Sequence, residues 1–242
     1  MPGSPFPDWQ DSEAYASLAH ADRSLICWEW LRRDPAYRSA FIDRRRRACD
    51  WGLVRFQDPD FGVPDARPIW SGARHTAVLC CAAQAGGQED DLVDLGHSLV
   101  TGFVNGPLLH CCLSDGFRML RLDVDQAATS AGRVQLRYHL SGIVSLDRPL
   151  ATLGRLRRFA RSGHIPSEPG SAHHRGRLIL QLRAFDALQA GAHQRDLARA
   201  LLDPSMEVRG WRIDHSHLRS RAQRLIKSAR AMASGGYWAL LG

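Results

Sequence analysis

Asp214-His-Ser-His-Leu-Arg-Ser-Arg-Ala-Gln-Arg-Leu-Ile-Lys-Ser-Ala-Arg-Ala-Met-Ala-Ser-Gly-Gly236 is the stretch from which the rest of the chain is best read. Leu218, Ala222, Leu225, Ile226, Ala229 and Met232 recur at helical spacing and share one face. Arg219, Gln223, Arg224, Lys227 and Arg230 fall on the other. Asp214 or Ser216 can cap the start, and Gly235-Gly236 can stop the helix. An apolar back that packs on its own domain and a cationic front that meets phosphates and base edges suit a nucleic-acid groove. A solvated surface helix has the same pattern, so the flanking sequence has to decide.

Charge is the first discriminator. The chain has 242 residues and a formal net charge of +7. Residues 1–154 hold 16 Lys+Arg against 19 Asp+Glu, whereas residues 155–242 hold 16 against 6. The positive excess therefore lies entirely in the final third, as expected of a nucleic-acid-binding domain joined to a near-neutral one. Lys227 is the only lysine. Arginine favours bidentate contacts to phosphate or guanine, although a GC-rich genome produces the same bias.

Hydrophobic content of 44% is that of a folded chain. No apolar run approaches the roughly 20 residues of a membrane span, and Met1-Pro-Gly-Ser-Pro-Phe-Pro-Asp8 has no secretion-signal pattern. A cytoplasmic, nucleoid-associated protein is expected. Cys27, Cys49, Cys80, Cys81, Cys111 and Cys112 form no Cys-x-x-Cys clasp. Buried reduced thiols are expected, with no metal and no cofactor.

The fold class expected is α+β: N-terminal helices and a small antiparallel sheet, followed by an all-α atypical helix-turn-helix domain. Asp22 to Arg33 reads as a helix, and a second starts at Pro35 and runs to about Ala48, ending in Arg44-Arg45-Arg46-Arg47. Trp28 and Trp30 lie two apart, about 200° around a helix, so one of them is free to face a neighbour or a partner. Trp28, Trp30, Arg33 and Tyr37 are the candidate protein-interaction residues. Trp51 to Trp70 is a loop pinned by aromatics.

Strands are expected at Thr76–Ala83, at Leu108–Leu113 and Phe117–Val124 around a Ser114-Asp115-Gly116 turn, and at Arg133–Leu140. A short helix is expected over Asp91–Leu99. Pro149 to Arg161 returns to helix, with Leu150, Leu153, Leu156 and Phe159 on one side and Arg155, Arg157, Arg158 and Arg161 mostly on the other. Residues 162–172 read as a linker between a regulatory and oligomerisation domain, 1–161, and a helical DNA-binding domain, 173–242.

Beyond the linker, helices are expected over His174–Gln189, with Leu178, Ile179, Leu182, Phe185 and Leu188 inward, and over His193–Leu202. The arginine helix follows. Three helices with a basic third are the usual build of helix-turn-helix readers, but those join their last two helices by three or four residues. Here Asp203 to Ile213 intervenes.

The run Arg177-Leu-Ile-Leu-Gln-Leu-Arg-Ala-Phe-Asp-Ala-Leu188, then Gly191-Ala-His-Gln-Arg-Asp-Leu-Ala-Arg-Ala-Leu201, Trp211, Leu218-Arg-Ser-Arg-Ala-Gln-Arg-Leu225 and Gly235-Gly-Tyr-Trp-Ala-Leu-Leu241 resembles the DNA-binding domain of RovC-like transcription activators. Trp28-Glu-Trp-Leu-Arg-Arg-Asp-Pro-Ala-Tyr37 resembles a proteobacterial regulator-like domain. The pairing is similar to FseA-type activators of integrative and conjugative elements. The resemblance implies a self-associating, sequence-specific activator of mobile-element genes. Its partners would be promoter DNA, RNA polymerase and a small antiactivator or regulator protein. Gln194, Arg195, Arg199, Arg219, Arg221, Arg224 and Lys227 would be the DNA contacts.

The competing reading is an architectural or accessory DNA binder that does not activate transcription. An enzyme is not expected: there is no Gly-x-Ser-x-Gly, phosphate-cradling loop or His-Glu-x-x-His. Asp123 and Asp125, beside Arg118 and Arg121, are the residual nuclease candidate.

Overall fold

The computed structural model describes residues 6–125, 133–170, 172–206, 211 and 215–242. They form two compact units whose boundaries do not follow a simple cut through the chain. A sheet unit comprises His20–Glu168 together with Trp238–Gly242, and a helical unit comprises Met1–Ala19 together with Pro169–Tyr237. Each end of the chain thus packs with the unit built mainly from the other part of the sequence.

The sheet unit begins with α1 (Arg23–Leu31) and α2 (Pro35–Asp43). Ser24 through Arg33 are buried without interruption, so α1 is enclosed on every side. This resolves the placing of its two tryptophans: a helix walled in all round needs no single apolar stripe. Asp34 accepts from the Ala36 amide and Pro35 sits in the first turn, a strong start for α2. That helix ends at Asp43, earlier than its sequence suggests, because Arg44 adopts a left-handed conformation, φ 55°. The Arg44 guanidinium stacks 4.2 Å from the Phe41 ring and 4.9 Å from Phe56, an alternative to a solvated helix end.

Six strands follow: β1 (Leu79–Gln84), β2 (Leu92–Asp94), β3 (Val100–Asn105), β4 (Leu108–Ser114), β5 (Met119–Asp125) and β6 (Arg133–His139). Their order is β2-β6-β1-β5-β4-β3. The expected hairpin is present, with Gly116 at φ 101° in its turn. β6 alternates as expected, burying Val134 and Leu136. Two expectations change. The sheet is mixed, because its central pair, β1 and β5, is parallel while every other pairing is antiparallel. The long excursion through β2, β3 and β4 supplies the connection that a parallel pair requires. The helix expected over Asp91–Leu99 is also replaced by β2 and a turn. Val93 is buried beside Val134, and the Asp94 carboxylate accepts from the Gly96 amide at 2.8 Å, a local bond that competes with helix.

One face of the sheet packs on α3 (Asp147–Ser162). Leu79, Cys81, Leu120, Leu122, Val124, Val134 and Leu136 meet Leu156, Phe159 and Ile165 there. α3 shows the expected amphipathic stripe with two exchanges: Leu150 is exposed, and Arg155 is buried. Arg155 donates to Asp22 at 2.5 Å, to the Pro166 carbonyl at 2.8 Å and to the Met119 carbonyl at 3.2 Å. Asp22 also accepts from the Met119 and Glu168 amides. The stretch expected to be a linker is therefore packed, with Ile165 in the core and Glu168 bonded to the Arg23 amide.

The helical unit holds α4 (Ala172–Gln189), α5 (Gln194–Leu201) and α6 (Ser216–Ala233). Gly191, φ 76°, terminates α4, and Gly235, φ 106°, follows α6. The Asp214 cap lies outside the described residues; His215 occupies the cap position of α6. No helix among the described residues is long and apolar enough to cross a membrane.

Candidate nucleic-acid interface

α6 is positioned by its apolar face. Leu218, Ala222, Leu225 and Ala229 pack with Ala184 and Ala187 of α4 and Leu197 and Ala198 of α5. The alanines let the three helices approach closely. Two polar contacts fix the register: Gln181 donates to the Ser228 hydroxyl, and Gln194 donates to the Arg219 carbonyl at 2.9 Å. The trihelical packing expected from the sequence is present, but Leu202 to His215 separates α5 from α6, far more than the turn of a standard unit.

On a helix turning about 100° per residue, Lys227 and Arg224 lie on the crest opposite this core face, with Arg221 on one flank and Gln223 and Arg230 on the other. Arg221, Gln223, Arg224, Lys227 and Arg230 are all exposed. None of the four cations has an ion pair or a side-chain hydrogen bond among the described residues. Arg219 is half-buried.

The α5 candidates divide. Gln194 is half-buried and holds α6 in place, so its amide nitrogen is already bonded. Arg195 lies 3.4 Å from its neighbour Asp196, with both side chains less than half exposed. Arg199 is exposed in the last turn and borders a groove with Trp9, Ser12, Arg183 and Pro204.

That groove points to residues the sequence reading missed. The N-terminal arm belongs to the helical unit: Trp9 is buried in the core of α4, α5 and α6. Arg183 of α4 donates to the Trp9 carbonyl at 3.1 and 3.0 Å and to the Gln10 carbonyl at 3.1 Å. The Tyr15 hydroxyl donates to buried Asp186 at 2.6 Å. The signal available in the sequence was three aromatics, Phe6, Trp9 and Tyr15, in a terminus otherwise rich in proline and polar residues.

The interaction candidates of the sheet unit lie inside it. Trp28 and Tyr37 are fully buried, Trp30 is 2% exposed and Arg33 3%. Trp28 donates to the Phe61 carbonyl at 2.8 Å and meets the Tyr37 ring edge-on, and Tyr37 donates to the Gln57 carbonyl at 2.6 Å. Arg33 and Arg32 contact the Glu29 carboxylate at 2.6 and 2.7 Å. Burial pushes the Glu29 carboxyl up, but Arg33 and Arg32 outweigh it, and the net shift is below the ordinary value. These four side chains are buried within the sheet unit.

Asp123, the residual nuclease candidate, has Arg121 at 2.7 Å and His110 at 2.6 Å on the same carboxylate oxygen. Buried Arg121 also donates to the Trp70, Cys111 and Leu122 carbonyls. This network holds the sheet together through charge-assisted bonds. Among the described residues, no group of three His, Cys, Asp or Glu is placed to hold a metal ion. Cys27, Cys81, Cys111 and Cys112 are buried and Cys49 and Cys80 exposed, all unbridged.

Two regions of the chain match protein-family models. Residues 144–242 are similar to the RovC DNA-binding domain, described as a T6SS transcription factor DNA-binding domain. Residues 8–56 are similar to the proteobacterial transcriptional regulator-like domain. No curated protein and no solved structure matches the chain. The two family matches support a DNA-binding transcription factor, with DNA as its partner.

Proposed function

We propose that this chain is a sequence-specific transcriptional activator that docks α6 in a DNA groove and recruits RNA polymerase to promoters of mobile-element excision and transfer genes. The observation that carries the reading is the crest of α6: exposed cations opposite a face locked into a trihelical core. A rigid backing is what a reading helix requires, since base contacts demand fixed geometry. The activator role rests on the resemblance of 177–241 to RovC-like activators, and the mobile-element setting on the similarity of the two-part layout, with 28–37, to FseA-type activators. The sheet unit is assigned the oligomer contacts, supported by the exposure of Ile143 (89%) and Val144 (95%) beside α3.

Gel shifts with Arg221→Ala and Arg224→Ala on a promoter fragment test the docking. Loss of a base-reading arginine costs about 1–3 kcal/mol and relaxes specificity at one position, whereas loss of a phosphate contact weakens all sequences alike. Unchanged affinity for both variants would overturn α6 as the reading helix. A promoter–reporter fusion that does not respond to the wild-type protein would overturn the activator role.

A further inference from the structure

We propose that α3 carries a second phosphate-binding surface, on the sheet unit, made by Arg157, Arg158 and Arg161. This inference rests on the DNA-binding reading and extends it to a helix that no comparison of residues with α6 would select.

The buried face of α3 is Thr152, Arg155, Leu156 and Phe159. At about 100° per residue, Arg157, Arg158 and Arg161 centre on the opposite direction. All three are exposed, and none has an ion pair or side-chain hydrogen bond among the described residues. Arg155 on the same helix shows what a structural arginine looks like here: it is buried and saturated by Asp22 and two carbonyls. The carboxylate on this face is Asp147 in the first turn, where the helix dipole favours an anion; beyond it the outward positions Leu150, Ala151 and Gly154 carry none, and a Cβ at Gly154 would meet nothing within 4 Å. From Leu150 to Arg161 the outward face is therefore cationic and open to an extended polyanion.

Complementing the helix dipole accounts for a cation in the last turn, Arg161, but not for Arg157 more than a turn from the Gly163 cap. The match to the DNA-binding family begins at residue 144, so it takes in α3 although α3 lies in the sheet unit. Arg157 and Arg161 also border a cleft of about 760 Å³ with Arg133 and Tyr138. Glu89 and Asp91 line that cleft too and disfavour an anion inside it, which leaves the outward face of the helix as the phosphate surface.

The test uses the full chain and a duplex titrated from low to high salt. Each phosphate contact contributes about 0.9 to the slope of log affinity against log salt. The triple variant Arg157→Ala, Arg158→Ala, Arg161→Ala is expected to lower the slope by about 2 to 3 and to weaken binding about 10- to 100-fold at 0.1 M salt. The triple change to Lys is expected to keep most of the slope, since charge and not a fork geometry is what phosphate neutralisation needs. Wild-type slope and affinity in the alanine variant, while Arg224→Ala loses binding in the same assay, would overturn the α3 surface and leave the α6 reading standing. Wild-type protein that binds no duplex would overturn both.

Discussion

The sheet unit encloses some of its arginines, whereas the helical unit encloses none among the described residues. In the sheet unit, four arginines are drawn inside and saturated, while Arg157, Arg158 and Arg161 of α3 stay exposed: Arg155 bonds Asp22, Arg32 and Arg33 bond Glu29, and Arg121 bonds Asp123 and three carbonyls. In the helical unit, the buried carboxylate Asp186 is met by a neutral phenol, Tyr15, and the cations of α6 point outward. The sheet unit holds 20 Lys+Arg against 17 Asp+Glu, and the helical unit 12 against 8. Carboxylates are fewer for each cation in the helical unit. A guanidinium enters a low-dielectric interior only when acceptors accompany it. Where acceptors are scarce it stays at the surface, available to a polyanion.

The sharpest way to break this contrast is to remove one arginine of each kind. Arg155→Ala leaves the Asp22 carboxylate buried without its counter-ion, in an environment where burial already pushes its carboxyl above the ordinary value against the pull of Arg155. Breaking such a pair costs about 3–5 kcal/mol. Arg224→Ala removes an exposed side chain from α6 and is expected to change stability by no more than about 0.5 kcal/mol. Urea denaturation of both variants measures the difference. Equal midpoints would mean that the Asp22–Arg155 contact contributes no more to stability than a solvated arginine does.

How far the sequence alone reaches follows the range of the interactions concerned. The hairpin around Ser114-Asp115-Gly116, the alternation of β6 and the stripes of α5 and α6 are local patterns, and they are legible. β3 contains Gly102 and β2 is three residues long, so neither sustains a period long enough to detect. The parallel pairing of β1 with β5 is a choice of neighbour, which alternation does not encode. The exposed crest of α6 could be derived from periodicity. The arm that completes its unit could not, because Tyr15 and Asp186 are 171 residues apart and nothing near either one announces the other. Gln194 is a similar case: a polar residue at the start of a basic helix reads as a phosphate contact, and its bond to the Arg219 carbonyl on α6 is visible only in the fold.

A smaller, pH-dependent effect sharpens the electrostatic side of the contrast. The Glu29 carboxyl is held below its ordinary value of 4.5 by Arg33 and Arg32, which outweigh its burial. Its contribution to folding is present above the unfolded value and is lost as pH falls through the lower, folded one. Asp22 acts with the opposite sign, since its carboxyl is raised by burial and its contribution is lost as pH rises through the folded value. The wild-type denaturation midpoint is therefore expected to fall on acidification below about pH 4.5. Glu29→Gln is expected to flatten that part of the profile while lowering stability at neutral pH. A Glu29→Gln profile parallel to the wild type would assign the acid sensitivity to other groups.

The finest distinction lies within α5, between a side chain that holds the reading helix and one that meets the anion. Gln194→Ala removes one neutral hydrogen bond to the Arg219 carbonyl, a loss of about 0.5–1.5 kcal/mol. Because no charge is lost, DNA affinity should drop with the salt slope unchanged. Arg199→Ala is expected to do the reverse: leave thermal stability near wild type and lower the slope by about 0.9, the signature of one phosphate contact. Fluorescence anisotropy over a salt series, beside a thermal melt, separates the two. If Gln194→Ala lowers the slope as Arg199→Ala does, then Gln194 leaves the Arg219 carbonyl when DNA binds, and the α5–α6 contact is a device of the free protein alone. If neither variant changes binding, α5 supports α6 through Leu197 and Ala198 only, and the interface is confined to the crest of the third helix.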